Sequence, residues 1–513
     1  MSRTTLVRAR WIVTGAGPDD PVLDDAALQI EDGQIVARGA WKDLRARHPD
    51  ATVVGGPGMA AIPGLINAHH HAVGPTQQQY GLMDDFLEPW IFGFACFRGR
   101  DVSLGTLLSC ARQLRSGVTS VVDVHSGAGK AKDYAGRVDA ALNSYAQSGM
   151  RVGFAPGLST RCHLVHGDDK ADEKFLASLP SALAGRLRAA YMPGPGAMNE
   201  DDWFAIVEAA IGKHRDHPTV DVWFGPPGPQ WVGDRCLQRV AERAEALDTN
   251  IQTHLVESYY EKLLGPRLWN KTTLLHLDDL GVLGPRLSFA HGTWLTETEI
   301  ALLAKTGGGV SHNPSSNLRL RAGIAPLNAF LAAGATTGIG LDGTTLNDDE
   351  DMFTEMRLAL RLARGAVLGE PAPTPRDVLG MATIGGAKLM GKEGRLGRLA
   401  PGYEADIVLL DLERILAPWT APEVDPLDLI VLRAGARDVR TVLVGGKPVY
   451  AEGRALGFDE ADVAKEIAAE LSAVPYPADA VKLARELLPH VEAFYRSWEH
   501  PTREPFTIYN ARR

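Results

Sequence analysis

The spacing of hydrophobic positions changes twice along the chain. Residues 4 to 56 read as short strands and turns. "TLVRARWIVTG" is strand-like, and "AALQIEDGQIVARG" sets two β runs around Asp32-Gly33, a hairpin signal. Only "WKDLRARH" has an early helical pattern. From residue 61, short unbroken apolar runs alternate with longer segments. The runs are "AAIPGLINAHHH", "TSVVDVH", "RVGFAPGLS", "VDVWFGPP", "NIQTHLVE", "LSFAHGTW", "GGGVSHNP" and "TTGIGLDG". Unbroken hydrophobicity suits parallel strands buried on both faces. Between them, segments such as "DVSLGTLLSCARQLRSG" and "RCLQRVAERAEAL" repeat apolar residues at helical spacing. Eight strand–helix units predict an α/β fold, a (β/α)8 TIM barrel, with a doubly wound sheet as the alternative.

After residue 390 the β pattern returns in "GRLGRLAPGYEADIVLLDLE" and in "VRTVLVGGKPVYAEGR", a hairpin around Gly445-Gly446. Strands on either side of the barrel are expected to pair as one small, discontinuous β-sandwich domain built from the N- and C-terminal segments. The expected division is 1–60 and 391–457 for that domain, 61–390 for the barrel, and 458–513 for C-terminal helices and an extended arm.

Composition narrows the class. Of 513 residues, 45% are hydrophobic and 23% charged, ordinary for a globular protein with a large core. The net charge of -10 and the lack of a long basic run argue against a nucleic-acid or acidic-membrane partner, although a local arginine could still hold an anion. Cys96, Cys110, Cys162 and Cys236 have no metal-ligand spacing and form no dense disulfide framework, which fits a reducing compartment. The start has no apolar signal region, and no run approaches the ~18 apolar residues of a membrane span. These features lead to the expectation of a soluble, cytoplasmic protein acting on a small molecule.

In a barrel, chemistry gathers at the C-terminal ends of the strands. The eight runs end in His69, His70 and His71; in Asp123 and His125; in His254 and, just beyond, Glu257; in His291; in His312; and in Asp342. A barrel built only for stability has no reason to collect imidazoles and carboxylates at one rim. Side chains alternate along a strand, so His69 and His71 point one way and His70 the other, between strand and helix. Two imidazoles at i and i+2 converge on one ion. His254 and Asp342 could complete a set of three nitrogens and one carboxylate that suits a catalytic divalent metal.

These residues lie in segments that resemble a known family. "PGLINAHHH" resembles the first-strand metal motif of the amidohydrolase superfamily, in the branch of cytosine deaminase, S-adenosylhomocysteine deaminase, guanine deaminase and the chlorohydrolase-like triazine hydrolases. "QTHLVE", "FAHGTWLTETE", "VSHNPSSNLRL" and "GIGLDGTTLNDDEDMFTEMRLA" resemble its later motifs in order, and "GRLGRLAPGYEADIVLLDL" its re-entry into the β domain. The resemblance covers roughly residues 5 to 455.

It implies a metal-dependent hydrolase of non-peptide C–N bonds, in the first instance a hydrolytic deaminase of an aminated heterocycle. The alternative is cleavage of an amide, urea or carbamate, or removal of a halide or alkylamine from a ring. His69, His71, His254 and Asp342 would bind the metal, Asp342 also taking a proton. Glu257 would be the general acid/base, and its presence leans toward deamination. His291 would orient and polarise the water. "VDVWFGPP" lacks the lysine that bridges two metals in some members, which implies one divalent ion, zinc by default with Fe(II) as the alternative. The resemblance also implies a homo-oligomer, a dimer or larger.

For substrate contacts, the loops after the first three strands offer Gln77, Gln79, Trp90 and Phe92, and Arg161 and His163 for a carboxylate or carbonyl oxygen. His312 and His125 are further candidates, and Asn317 is expected to fix a loop. The first loop does not match the nucleobase deaminases, which argues against a standard nucleobase substrate.

Overall fold

The computed structural model describes residues 4–99, 101–127 and 129–507. All eight apolar runs are strands: β1 (Leu65–His70), β2 (Val118–Gly127), β3 (Arg151–Leu158), β4 (Val220–Val222), β5 (Ile251–Leu255), β6 (Leu287–His291), β7 (Gly309–His312) and β8 (Thr336–Ile339). They pair in parallel in the order β4-β3-β2-β1-β8-β7-β6-β5. A parallel bridge between Phe224 and Ile251 closes the ring. Every residue of β1, β3, β5, β6 and β7 is buried, because helices cover the outside and side chains fill the inside. The fold is the (β/α)8 barrel. Helix starts follow local chemistry: Thr296 and Glu299 form a reciprocal capping box where the sequence reads "TETE".

The second sheet joins the two ends of the chain. Thr52–Pro63 pairs in parallel with Thr5–Val13 and antiparallel with Ile407–Asp411, so the N- and C-terminal strands share one eight-stranded sheet. Both expected hairpins are present. Asp32 and Gly33 have φ of 49° and 84°, and Gly445 and Gly446 of 52° and 73°, the paired positive values that tight hairpin turns require.

The C-terminal helices fold back on the barrel. Val463 and Ile467 pack on Leu107 and Leu108, while Leu487, Val491 and Tyr495 pack with Phe92, Leu164 and Phe175. The described part of the arm lies on its own chain: Arg503 sits 4.2 Å over the Tyr259 ring. Residues 508–513 of the arm lie outside the described residues.

One buried ion pair fastens the base of the barrel to the β sheet. Arg151 donates Nε and Nη2 to the two oxygens of Asp406 (2.8 and 3.1 Å), Nη2 to Glu404 (3.1 Å), and Nη1 to the Pro218 carbonyl (2.9 Å). Asp406 also accepts the Gly445 N–H (2.7 Å). Removing the arginine leaves a buried carboxylate uncompensated. Arg151→Met should therefore destabilise the fold by about 3 kcal/mol or more. Thermal unfolding would register a clear drop in midpoint; an unchanged midpoint would contradict this role.

Candidate metal centre

Five side chains meet at the C-terminal mouth of the barrel. His69 lies on β1, His71 one residue past it, His254 on β5, and His291 at the end of β6; Asp342 lies three residues past β8. The Nε2 atoms of His71 and His254 are 3.3 Å apart. Asp342 Oδ1 is 3.8 Å from His69 Nε2 and 3.6 Å from His71 Nε2; its Oδ2 is 3.8 Å from His291 Nε2. His70 faces the opposite way, its Nε2 2.7 Å from the Ser109 hydroxyl.

The other ring nitrogen of each inward histidine has an acceptor behind it. His71 Nδ1 donates to the Val124 carbonyl (2.6 Å) and His254 Nδ1 to the Pro227 carbonyl (2.6 Å). His69 Nδ1 donates to Gln252 Oε1 (2.8 Å) and His291 Nδ1 to Asn317 Oδ1 (2.9 Å). A carbonyl oxygen only accepts, so each Nδ1 carries the hydrogen and each neutral ring turns an Nε2 lone pair inward. Burial first of all favours the neutral form of three of them, taking His69 and His291 down to about 3 and His254 well below the usual histidine value.

The donor set fits one divalent ion. The Nε2 atoms of His69 and His291 are buried without a hydrogen-bond partner. Those of His71 and His254 point lone pairs at each other, which is repulsive unless a cation lies between them. Tetrahedral zinc with Zn–N bonds of about 2.0–2.1 Å places ligand nitrogens roughly 3.3–3.4 Å apart. Burial would raise Asp342, but its carboxyl is held below the usual range, with the Ser316 hydroxyl (2.7 Å) donating to Oδ2.

The backbone is strained at these residues. His291 and Asp342 have φ of 73° and 53°, and Val256, beside Glu257, has 39°. Such values cost of order 1–3 kcal/mol each in non-glycine residues and persist where surrounding contacts fix them. Here Asp342 N–H donates to the His69 carbonyl (3.0 Å) and Leu341 N–H to Asn67 Oδ1 (2.9 Å), tying the end of β8 to β1. A Cβ at Gly340 would meet Asn313 Oδ1 at 2.3 Å and His69 Cβ at 2.9 Å, so glycine permits this close approach.

Glu257 completes the floor, with Oε2 3.5 Å from His291 Nε2. Burial, then the carboxylates of Glu261, Asp342 and Glu88, push it well above the normal carboxylate range. Its N–H donates to Glu261 Oε2 (2.7 Å), and Glu261 also takes the Gln230 amide (2.8 Å). Glu88 accepts the Ser258 hydroxyl and is pushed by burial up to about 7.

Above the floor opens a cavity of about 420 Å³. Trp90, Gln77, His125 and His163 line it as the sequence suggested. Gln79, Arg161, His312 and Phe92 do not. Gln79 is exposed and accepts the Thr76 N–H (2.8 Å), capping its own short helix. Arg161 turns outward to Asp169 (2.9 Å) and to the Pro229 carbonyl (3.0 Å). His312 is fully buried at the end of β7, off the cavity wall. Phe92 packs into the cluster with Leu164 and Phe175.

Other residues acquire roles that the sequence did not suggest. Asn317 sets the His291 ring, Gln252 the His69 ring, and Ser316 the Asp342 carboxylate. Gln252 lies two residues before His254 and so shares its face, a signal readable from strand period alone.

Metal analysis after dialysis separates these roles. His254→Ala should retain no ion, while His70→Ser should keep close to one equivalent. Gln252→Leu should weaken binding by about 10- to 100-fold, the usual cost of losing a partner behind a metal-ligating histidine. Equal loss in the His70 and His254 variants would overturn the strand assignment.

Residues 60–449 match the model of the Amidohydrolase family; a short second match, residues 27–51, is to an imidazolonepropionase-like composite domain of bacteria. The chain is 32% identical over 471 residues to 5-methylthioadenosine/S-adenosylhomocysteine deaminase of Nitratidesulfovibrio vulgaris (strain DP4), covering 90% of this chain and 95% of that protein. It is 29% identical to 5'-deoxyadenosine deaminase of Methanosarcina mazei over 467 residues, 90% and 96% of the two chains. The crystal structure of an adenosine deaminase from Xanthomonas campestris with bound zinc superposes with a TM-score of 0.76 at 29% identity, covering 91% of this chain and 98% of that one. A family match across most of the chain and a metal-ready donor set at the barrel mouth have one reading: the chain belongs to the amidohydrolase family of metal-dependent hydrolases.

Proposed function

We propose that this protein is a zinc-dependent hydrolytic deaminase acting on the aminated heterocycle of a nucleoside-like small molecule. The observation that carries this reading is the Glu257 carboxyl beside His291, on the cavity side of the donor set. The names of its relatives and the zinc in the Xanthomonas structure support the substrate class and the choice of ion. In this reading His69, His71, His254 and Asp342 hold the ion, whose chemistry when bound is to acidify water so that attack on carbon proceeds near neutral pH.

The chain's own groups then handle protons and orientation. His291, fixed by Asn317, turns its Nε2 lone pair toward the attacking water, accepts from the water's O–H and so orients it. Asp342 accepts a proton from the attacking water. Burial and its acidic neighbours favour the protonated form of Glu257, which can then protonate the ring nitrogen next to the attacked carbon. After the C–O bond has formed, the Glu257 carboxylate takes the proton of the added hydroxyl and passes it to the amine as the C–N bond breaks; ammonia leaves, and the proton held by Asp342 restores Glu257. Four buried free cysteines support a cytoplasmic location. The homo-oligomer rests on the family resemblance alone.

Zinc-loaded protein should release ammonia from 5'-deoxyadenosine or a related aminated nucleoside. Glu257→Gln should lower kcat by at least about 100-fold while zinc content stays the same. Cleavage of amides or ureas without ammonia from any heterocycle, or full activity in the variant, would contradict the proposal.

A further inference from the structure

The cavity is charged only at its floor. Glu257 and Asp342 are its acids, and both belong to the reaction centre. One wall is aromatic: Trp90 meets Phe94 edge-on at 4.8 Å, and Phe94 stacks with Phe97 at 5.1 Å. Leu87, Ile91 and Leu320 extend this apolar surface. The lining also includes the uncharged polar groups of Ser126 and Ser159, with Trp231 and His163. His163 is kept neutral mainly by burial.

Among the described residues that line the cavity there is no lysine or arginine. Three described arginines near it in sequence are engaged elsewhere. Arg161 holds Asp169 and the Pro229 carbonyl. Arg319, next to Leu320, is neutralised by Asp84 and Asp348, each at 2.7 Å. Arg321 lies over the Phe86 ring at 3.9 Å.

We infer that the part of the substrate remote from the reacting amine is uncharged and apolar, so that the enzyme takes aminated heterocycles with neutral hydrophobic tails and rejects those with anionic or zwitterionic ones. This rests on the deaminase reading above and narrows it. A charged tail would leave water for an aromatic wall with no counter-ion, whereas an alkyl or thioether tail gains contact there. The specificity-determining residues are Trp90, Phe94 and Phe97.

Three probes share one ring and one reacting carbon and differ only in the 5' tail: 5'-deoxyadenosine, 5'-methylthioadenosine and S-adenosylhomocysteine. With zinc-loaded enzyme, kcat/KM should be at least about 30-fold higher for the two neutral tails than for the zwitterionic one. Phe94→Arg, which puts a guanidinium at the mouth, should narrow that gap while zinc content is unchanged. A zwitterion accepted within about threefold by the wild-type enzyme overturns the inference but leaves the deaminase reading standing. If no probe yields ammonia, the deaminase reading fails. The inference then stands only if calorimetry on the zinc-loaded protein shows the neutral probes binding more tightly; equal binding, or none, overturns it.

Discussion

Two imidazole nitrogens, on His71 and His254, face each other at 3.3 Å with a backbone carbonyl behind each ring. That arrangement is unfavourable for the chain alone. Each carbonyl fixes the tautomer that points a lone pair inward, and the rings cannot turn away without losing those bonds. Gln252 and Asn317 repeat the device for His69 and His291. The barrel thus holds four electron-pair donors and one carboxylate in mutual repulsion, relieved by a cation. What the fold supplies is not the affinity of any single ligand but a preorganised set that needs no rearrangement on binding.

The surrounding structure maintains that set. Asn67 bonds both Gln113 and the backbone at Leu341, and Asp123 accepts the Ala72 N–H and the Tyr145 hydroxyl, so the chain on either side of the histidine run is held from the helix layer and from β8. The positive φ of His291 and Asp342 is the strain left at the centre. Next to it, three carboxylates, Glu257, Glu261 and Glu88, share one buried region, and their proximity favours the protonated form of the one that faces the cavity. Metal geometry and acid strength therefore come from the same barrel end, with the aromatic wall of the first loop above them.

Much of this was legible in the sequence because periodicity carries it. The eight apolar runs gave the strands, and the two-residue period separated His69 and His71 from His70. Distances along the chain did not obscure His254 or Asp342, because both end strand runs. Loop geometry was not legible. Gln79 and Gln77 sit in one "QQQ" run, yet a helix cap claims the first and the cavity wall the second. Arg161 looked like an anion receptor until Asp169, eight residues on, took its guanidinium. His312 ends a strand like the ligands but does not reach the cavity. For Gln79 and Arg161 the outcome depends on a short-range polar partner that composition and period do not reveal.

The central claim is that one ion, held by this donor set, makes the protein a catalyst. Stepwise addition of zinc to metal-free protein, with ammonia release from 5'-deoxyadenosine recorded at each step, tests it most directly. Activity should be absent without metal, rise linearly to one equivalent of zinc, and stay level beyond. A break at two equivalents, or ammonia release from the metal-free protein, would contradict it.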